Sequence, residues 1–188
     1  MIRKMRGFTL IELLITLSIL GILLAIAIPS LINAQAKAKS KACMSEIHSI
    51  SVSMNDYVVE NGSWAGITQS GELILNCPLI TELTKLSASA VPVNDPWGNP
   101  YRIYCDPTAV AVVLTGLTDP ALPGSYVVSS LGADGAPGPI SAAAWSPTTP
   151  DAGFYRLSTT TDLLNDLVLY NGNFIVSPKA GAPFGGGL

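Results

Sequence analysis

The chain has 188 residues, a formal net charge of −3, 48 % hydrophobic residues and only 12 % charged ones, about half the charged share of an ordinary soluble domain. The length suggests one domain. The cysteines Cys43, Cys77 and Cys105 form no Cys-x-x-Cys pair, which argues against a zinc site. Basic Arg3, Lys4 and Arg6 sit at the N-terminus, and the rest carries 7 basic against 13 acidic residues. Such an acidic body argues against nucleic acid as a partner.

The first predicted element is a helix from about Phe8 to Asn61. The 21 residues Phe8–Ile28 are nearly all apolar or small, and as a helix they span about 31 Å, the thickness of a bilayer core. The run is too long for a signal-peptide core and continues into more helix, so a retained membrane span is expected. The flanking cations Arg3, Lys4, Arg6 and Lys37, Lys39, Lys41 nearly tie on the positive-inside count. Their closeness to the apolar edge and the free α-amino group place the N-terminus in the cytoplasm. Glu12 lies inside the run, where a carboxylate costs on the order of 2–3 kcal/mol. One helical turn either side of it stand Phe8, Thr9, Ile15 and Thr16, none of them cationic. A neighbouring subunit is then the natural source of a partner; the alternative is a carboxylate solvated near the membrane interface.

Lys4-Met5-Arg6-Gly7-Phe8-Thr9-Leu10-Ile11-Glu12-Leu13-Leu14, with Gly21–Pro29 after it, resembles the leader junction of type IV pilins and type II secretion pseudopilins. The resemblance covers about the first 30 residues. It implies a short leader, residues 1–7, cut by a prepilin peptidase between Gly7 and Phe8. It also implies N-methylation of Phe8, and pairing of Glu12 with the Phe8 amine of an adjacent subunit during assembly. Glycine at position 7 suits this physically, since lacking a Cβ it lets a protease backbone approach.

Pro29 removes a backbone donor, so a kink or local melting is expected there. The helix should resume over 29–61, because Cys43, Ile47, Ile50, Met54, Tyr57 and Val58 recur at helical spacing as one apolar stripe. Asn61-Gly62 is a stop signal. His48, the lone histidine, reads as a solvated helix-face residue.

From Gly62 to Leu188 the composition turns to Gly, Pro, Ser and Thr. This globular region is long enough for a small core laid on the helix. A short helix is expected near Leu79–Ser87, and strands at Pro100–Tyr104, Ala109–Thr115 and Tyr126–Leu131. A hairpin, Leu167–Tyr170 with Phe174–Val176, should turn at Asn171-Gly172. Ala109–Thr115 reads as the central strand. Gly135–Pro150 and the tail Lys179–Leu188 read as flexible, and a flexible insertion is expected near 136–161. The odd cysteine count leaves two readings: three thiols, or one disulfide in an exported body, most naturally Cys77 with Cys105. The expected fold is therefore α+β: a long N-terminal helix, transmembrane in its first half and kinked near Pro29, packed on a small antiparallel sheet.

Two body motifs narrow the resemblance. Asn94-Asp95-Pro96-Trp97-Gly98-Asn99-Pro100-Tyr101 is a tight turn set with an aromatic anchor, and it is similar to a segment of the major pseudopilins of type II secretion systems. Ser130-Leu131-Gly132-Ala133-Asp134-Gly135, with the later Asp162–Leu167 segment, is similar to the pseudopilin calcium loop. Calcium prefers six to eight oxygens from carboxylates and carbonyls. The resemblance implies Asp134 as a carboxylate ligand and Leu131 as a carbonyl donor. Asp166 is the expected second carboxylate and Asp162 the alternative. The gap between Asp134 and Asp166 is longer here than in the family, so the site is either looped across or lost.

By resemblance the chain is a structural subunit rather than an enzyme, since no Ser/His/Asp set or phosphate loop accompanies the single histidine. The implied partners are further copies of itself, minor pseudopilins or pilins, a prepilin peptidase, an inner-membrane assembly platform, and lipid before assembly. The implied location is the inner membrane, with the body in the periplasm. The other reading is a type IV pilin forming a surface fibre for adhesion, motility or DNA uptake.

Overall fold

A computed structural model describes residues 8–64, 67, 70–74, 77–86, 90–105, 110, 113–114, 123–137, 149–157 and 160–179. The first helix, α1 (Leu10–Asn61, 52 residues), is shared by two compact units, Met1–Ala36 and Lys37–Leu188.

Among the described residues of the first unit α1 is the one regular element. Its large apolar side chains, among them Leu10, Leu20 and Ile22, are all exposed. The helix is long and apolar enough to cross a membrane, and none of its most apolar window is buried. Of the kink or local melting expected at Pro29, local melting is not found: the residues on both sides of it are helical. Proline removes one donor, and the turns before and after keep theirs.

In the second unit the remainder of α1 buries the stripe expected from its spacing. Cys43, Ile47, Ile50, Met54 and Tyr57 join one core with Trp64, Leu79, Leu83, Tyr101, Ile103, Val128 and Leu169. Each fully buried aliphatic side chain contributes about 1.5–3 kcal/mol. The helix stops where Asn61-Gly62 predicts. Gly62 adopts φ +75° and its N–H donates to the Val58 carbonyl at 2.8 Å, which satisfies one of the carbonyls left over in the last turn, while the Asn61 amide donates to the Tyr57 carbonyl at 3.0 Å. His48 is exposed on the opposite face.

Among the described residues the sheet has six strands: β1 (Ser70–Glu72), β2 (Arg102–Tyr104), β3 (Val127–Ser130), β4 (Phe154–Tyr155), β5 (Leu167–Tyr170) and β6 (Asn173–Pro178). Their spatial order is β1-β2-β3-β5-β6-β4. A second helix, α2 (Pro78–Leu86), buries Leu79, Ile80 and Leu83. β5 and β6 form the expected hairpin, with Asn171 at φ 44° and Gly172 at φ 86°, the left-handed pair that a two-residue turn requires. The α+β fold is as read from the sequence, with three differences.

First, the sheet is mixed: β4 pairs parallel with β6, Phe154 opposite Ser177, while the other pairs are antiparallel. Second, Ala109–Thr115 is not the central strand. Its described residues Val110 and Val113 are helical, and the Leu114 N–H donates to the Val110 carbonyl at 2.9 Å. β-Branched residues favour strands only weakly, and packing overrides that preference; one helical turn buries Val110 and Leu114 together. The central position falls instead to β3, buried along its whole length. Third, the segment read as a flexible insertion is ordered where it is described. Pro150–Gly153 forms a 3-10 turn, β4 follows, and Tyr155 and Leu157 enter the core. A Cβ on Gly153 would collide with the Ile175 carbonyl, so only glycine allows this approach to β6.

Candidate functional site

Two regions carry the residues singled out by sequence. The first is the start of α1. Gly7 and the leader lie outside the described residues. Phe8 and Glu12 are both exposed. Thr9 caps the helix: the Glu12 N–H donates to the Thr9 hydroxyl oxygen at 3.4 Å, and the Thr9 hydroxyl donates to the Glu12 carboxylate at 3.4 Å. The first of these bonds is one half of the Ser/Thr-x-x-Glu capping box, and the second joins the two side chains in place of its return bond to the N-cap backbone. The sequence signal, Thr9-Leu10-Ile11-Glu12, was legible, yet a search restricted to cations passes over a hydroxyl. The carboxylate also sits at the positive end of the helix dipole, where a negative charge is favoured.

The second region lies in the body, where the structure unites the two motifs read separately from the sequence. The Asp95 side chain is buried. One of its carboxylate oxygens accepts the N–H groups of Trp97 at 3.0 Å and Asn99 at 2.9 Å. The turn is closed by the Asp95 N–H donating to the Asn99 carbonyl at 2.8 Å and by the Gly98 N–H donating to the Asp95 carbonyl at 2.9 Å. The other Asp95 oxygen accepts the Ser130 hydroxyl at 2.7 Å, and that hydroxyl in turn accepts the Gly132 N–H at 3.2 Å. The Asn99 amide donates to the Gly132 carbonyl at 3.0 Å. The Asp-Pro-Trp-Gly-Asn turn is therefore a bracket for the Leu131–Gly135 loop. Asp95, Asn99 and Ser130 were not expected as site residues, because nothing local in the sequence joins positions more than thirty residues apart.

The same loop meets the Asp162–Asp166 segment across the long gap between them. The Ala133 N–H donates to the Leu163 carbonyl at 2.9 Å. Gly132 adopts φ +71°, and a Cβ there would lie 2.6 Å from the Leu163 carbonyl oxygen and 2.9 Å from that of Asn165, so glycine is required. Asp134 is exposed at the loop tip, with the Ala136 N–H donating to its carboxylate at 3.1 Å. Asp166 is buried, and Asp162 is half-buried. Burial first, then the negative charge of Asp166, pushes the Tyr155 phenol up from its ordinary range. Among the described residues no group of three His, Cys, Asp or Glu side chains converges. A cation here would draw on two carboxylates at most and on main-chain carbonyls, an all-oxygen set that suits calcium.

The bracket is tied to α1 by Tyr101, whose hydroxyl donates to the Glu46 carboxylate at 2.6 Å and lies 3.6 Å from the Cys43 sulfur. Burial pushes the Cys43 thiol up to about 12. The disulfide considered between Cys77 and Cys105 is not formed; all three cysteines are thiols. Cys105 is fully buried with its Sγ directed at the Ile67 carbonyl, 3.8 Å away, while Cys77 is half-buried just ahead of α2.

Comparison with known proteins places these observations. Residues 2–28 match the prokaryotic N-terminal methylation motif. The chain is 30 % identical over 141 residues to the type II secretion system core protein G of Pseudomonas aeruginosa, covering 72 % of this chain and 89 % of that one. It is 28 % identical over 140 residues to the protein of the same name from Vibrio cholerae, covering 72 % and 86 %. It is also 28 % identical over 105 residues to that of Aeromonas hydrophila, covering 54 % and 73 %. No solved structure matches significantly. With the methylation motif at its N-terminus and 30 % identity to such a protein over most of both chains, the chain belongs to the type II secretion system core protein G family.

Proposed function

We propose that the chain is a structural subunit of a type II secretion pseudopilus, and that its activity is polymerisation rather than catalysis. The observation that carries this is the N-terminal methylation motif leading directly into an apolar helical stretch whose large side chains are exposed. A soluble monomer rarely leaves so large an apolar surface uncovered. Lipid covers it before assembly, and the same helices of further copies cover it afterwards. Cleavage after Gly7 by a prepilin peptidase creates a new amine at Phe8, and the exposed Glu12 carboxylate of a neighbour pairs with it. The N-terminus faces the cytoplasm, the span crosses the inner membrane, and the body lies in the periplasm. Minor pseudopilins and an inner-membrane assembly platform are the other partners of this reading. A type IV pilus is not favoured, because the relatives that the chain matches are type II secretion system proteins. The test is Glu12→Ala in the full-length chain. It should enter the membrane and lose its leader, yet give few filaments; filaments at the wild-type level would remove the pairing.

We also propose that the body loop holds calcium, through the Leu131 carbonyl and the Asp134 and Asp166 carboxylates, with Asp162 as the alternative to Asp166. What supports this is the all-oxygen donor set and the direct bond between the two segments, Ala133 to Leu163. Bound calcium would supply positive charge that crosslinks the loop to the later segment. Melting temperature should rise with calcium over excess chelator, and the rise should vanish in Asp134→Ala.

A further inference from the structure

Peptide planarity gives the Asp95 bracket a specific consequence. The Leu131 carbonyl and the Gly132 N–H belong to one rigid trans unit, so whatever fixes the N–H fixes the direction of the carbonyl. The Gly132 N–H is held by the Ser130 hydroxyl at 3.2 Å, and that hydroxyl is aimed by its own donation to Asp95 at 2.7 Å. The next peptide unit is held at both ends. The Gly132 carbonyl accepts from Asn99 at 3.0 Å, and the Ala133 N–H donates to Leu163 at 2.9 Å. Gly132, at φ +71°, is thus pinned on both sides. Ser130 is fully buried and Asp95 nearly so, which leaves little room for either to turn away.

We infer that Ser130, aimed by Asp95, and Asn99 are positioning residues that set the Leu131 carbonyl and the Leu131–Gly135 loop in a cation-ready arrangement. None of the three is a proposed ligand. This rests on the calcium reading above and goes beyond it, because it assigns the Asp-Pro-Trp-Gly-Asn turn a role in affinity as well as in folding. Groups that orient metal ligands commonly account for about 10- to 100-fold of metal affinity, and a pre-set loop need not be ordered at the moment of binding.

The experiment uses full-length chain in detergent, with calcium chloride as the probe. Two quantities are measured for wild type, Ser130→Ala and Asn99→Ala: the calcium Kd by titration calorimetry, and the melting temperature in excess chelator. A positioning role predicts a Kd weakened about tenfold or more in each variant, together with a smaller calcium-induced rise in melting temperature at fixed calcium. A purely structural role predicts a lower chelator melting temperature with an unchanged Kd, and that result overturns the inference. Wild-type chain that takes up no calcium overturns the calcium reading itself, and the inference with it. Wild-type binding with unaltered variant Kd overturns only the inference. Asn99 is half-buried, so its variant keeps the question answerable should Ser130→Ala fail to fold.

Discussion

One helix holds two kinds of apolar residue. Before Ala36, Leu20 and Ile22 are 52 % and 65 % exposed; beyond Lys37, Ile47 and Ile50 are 0 % and 1 % exposed. The residue types are the same and the secondary structure is unbroken, so neither explains the difference. It lies in what the remainder of the chain offers to cover. The body supplies a sheet and a second helix for the later stripe, and the earlier stretch stays exposed. Hydrophobicity alone therefore does not say what a residue packs against; its spacing does. The later stripe is narrow and amphipathic, whereas the earlier run is apolar all round, which is the mark of a helix covered from every side.

Ile47→Ala tests this division most severely. It should cost about 2–5 kcal/mol in denaturant unfolding of the body, while Leu20→Ala should leave that transition unchanged. Equal losses would mean that the two parts of α1 share one core. Asp95→Ala should follow, at about 1–3 kcal/mol, since it strips the partners from the N–H groups of Trp97 and Asn99 within a tight turn. Tyr101→Phe should cost about 1–2 kcal/mol by deleting the hydrogen bond to Glu46; no loss would show that the turn holds without α1. The smallest effect is alkaline. Burial raises the Cys43 thiol from its ordinary 9.0 to about 12 and moves Tyr101 and Tyr126 in the same direction. Between about pH 9 and 12 the folded chain therefore keeps protons that the unfolded chain releases, and stability should fall as pH rises through that window. A urea midpoint followed from pH 8 upward checks the sign. Over the same range the half-buried Cys77 should react with an alkylating reagent well before Cys43.

How much of this was legible in the sequence depends on the range of the signal. The apolar run, the stripe from Cys43 to Tyr57, the Asn61-Gly62 stop and the Asn171-Gly172 hairpin are local patterns, and all appear as read. The Val110–Leu114 turn was misread because β-branched composition is a weak vote that one buried helical turn outweighs. β4 was missed because a two-residue strand has no periodicity to detect. The Thr9–Glu12 cap was available as a motif but lay beside a question about charge. The link from Asp95 through Ser130 to Gly132 had no sequence signature at all. It arises only when β3 brings the end of one motif against the start of the other.

The strand order has a consequence for a chain built to associate. An open sheet can recruit copies of itself edge to edge, and such growth has no natural stopping point. Among the described residues, the outermost strand at each rim is short. β1 offers three residues, and the far rim is the two-residue β4, laid parallel along β6, with the Lys179 N–H donating back to the Tyr155 carbonyl at 2.7 Å and Gly153 pressed against the backbone of β6. A visiting strand would find little ladder to extend. Among the described residues, short rims limit edge-to-edge pairing of the sheet, so that the exposed apolar helix is the surface along which ordered growth is favoured.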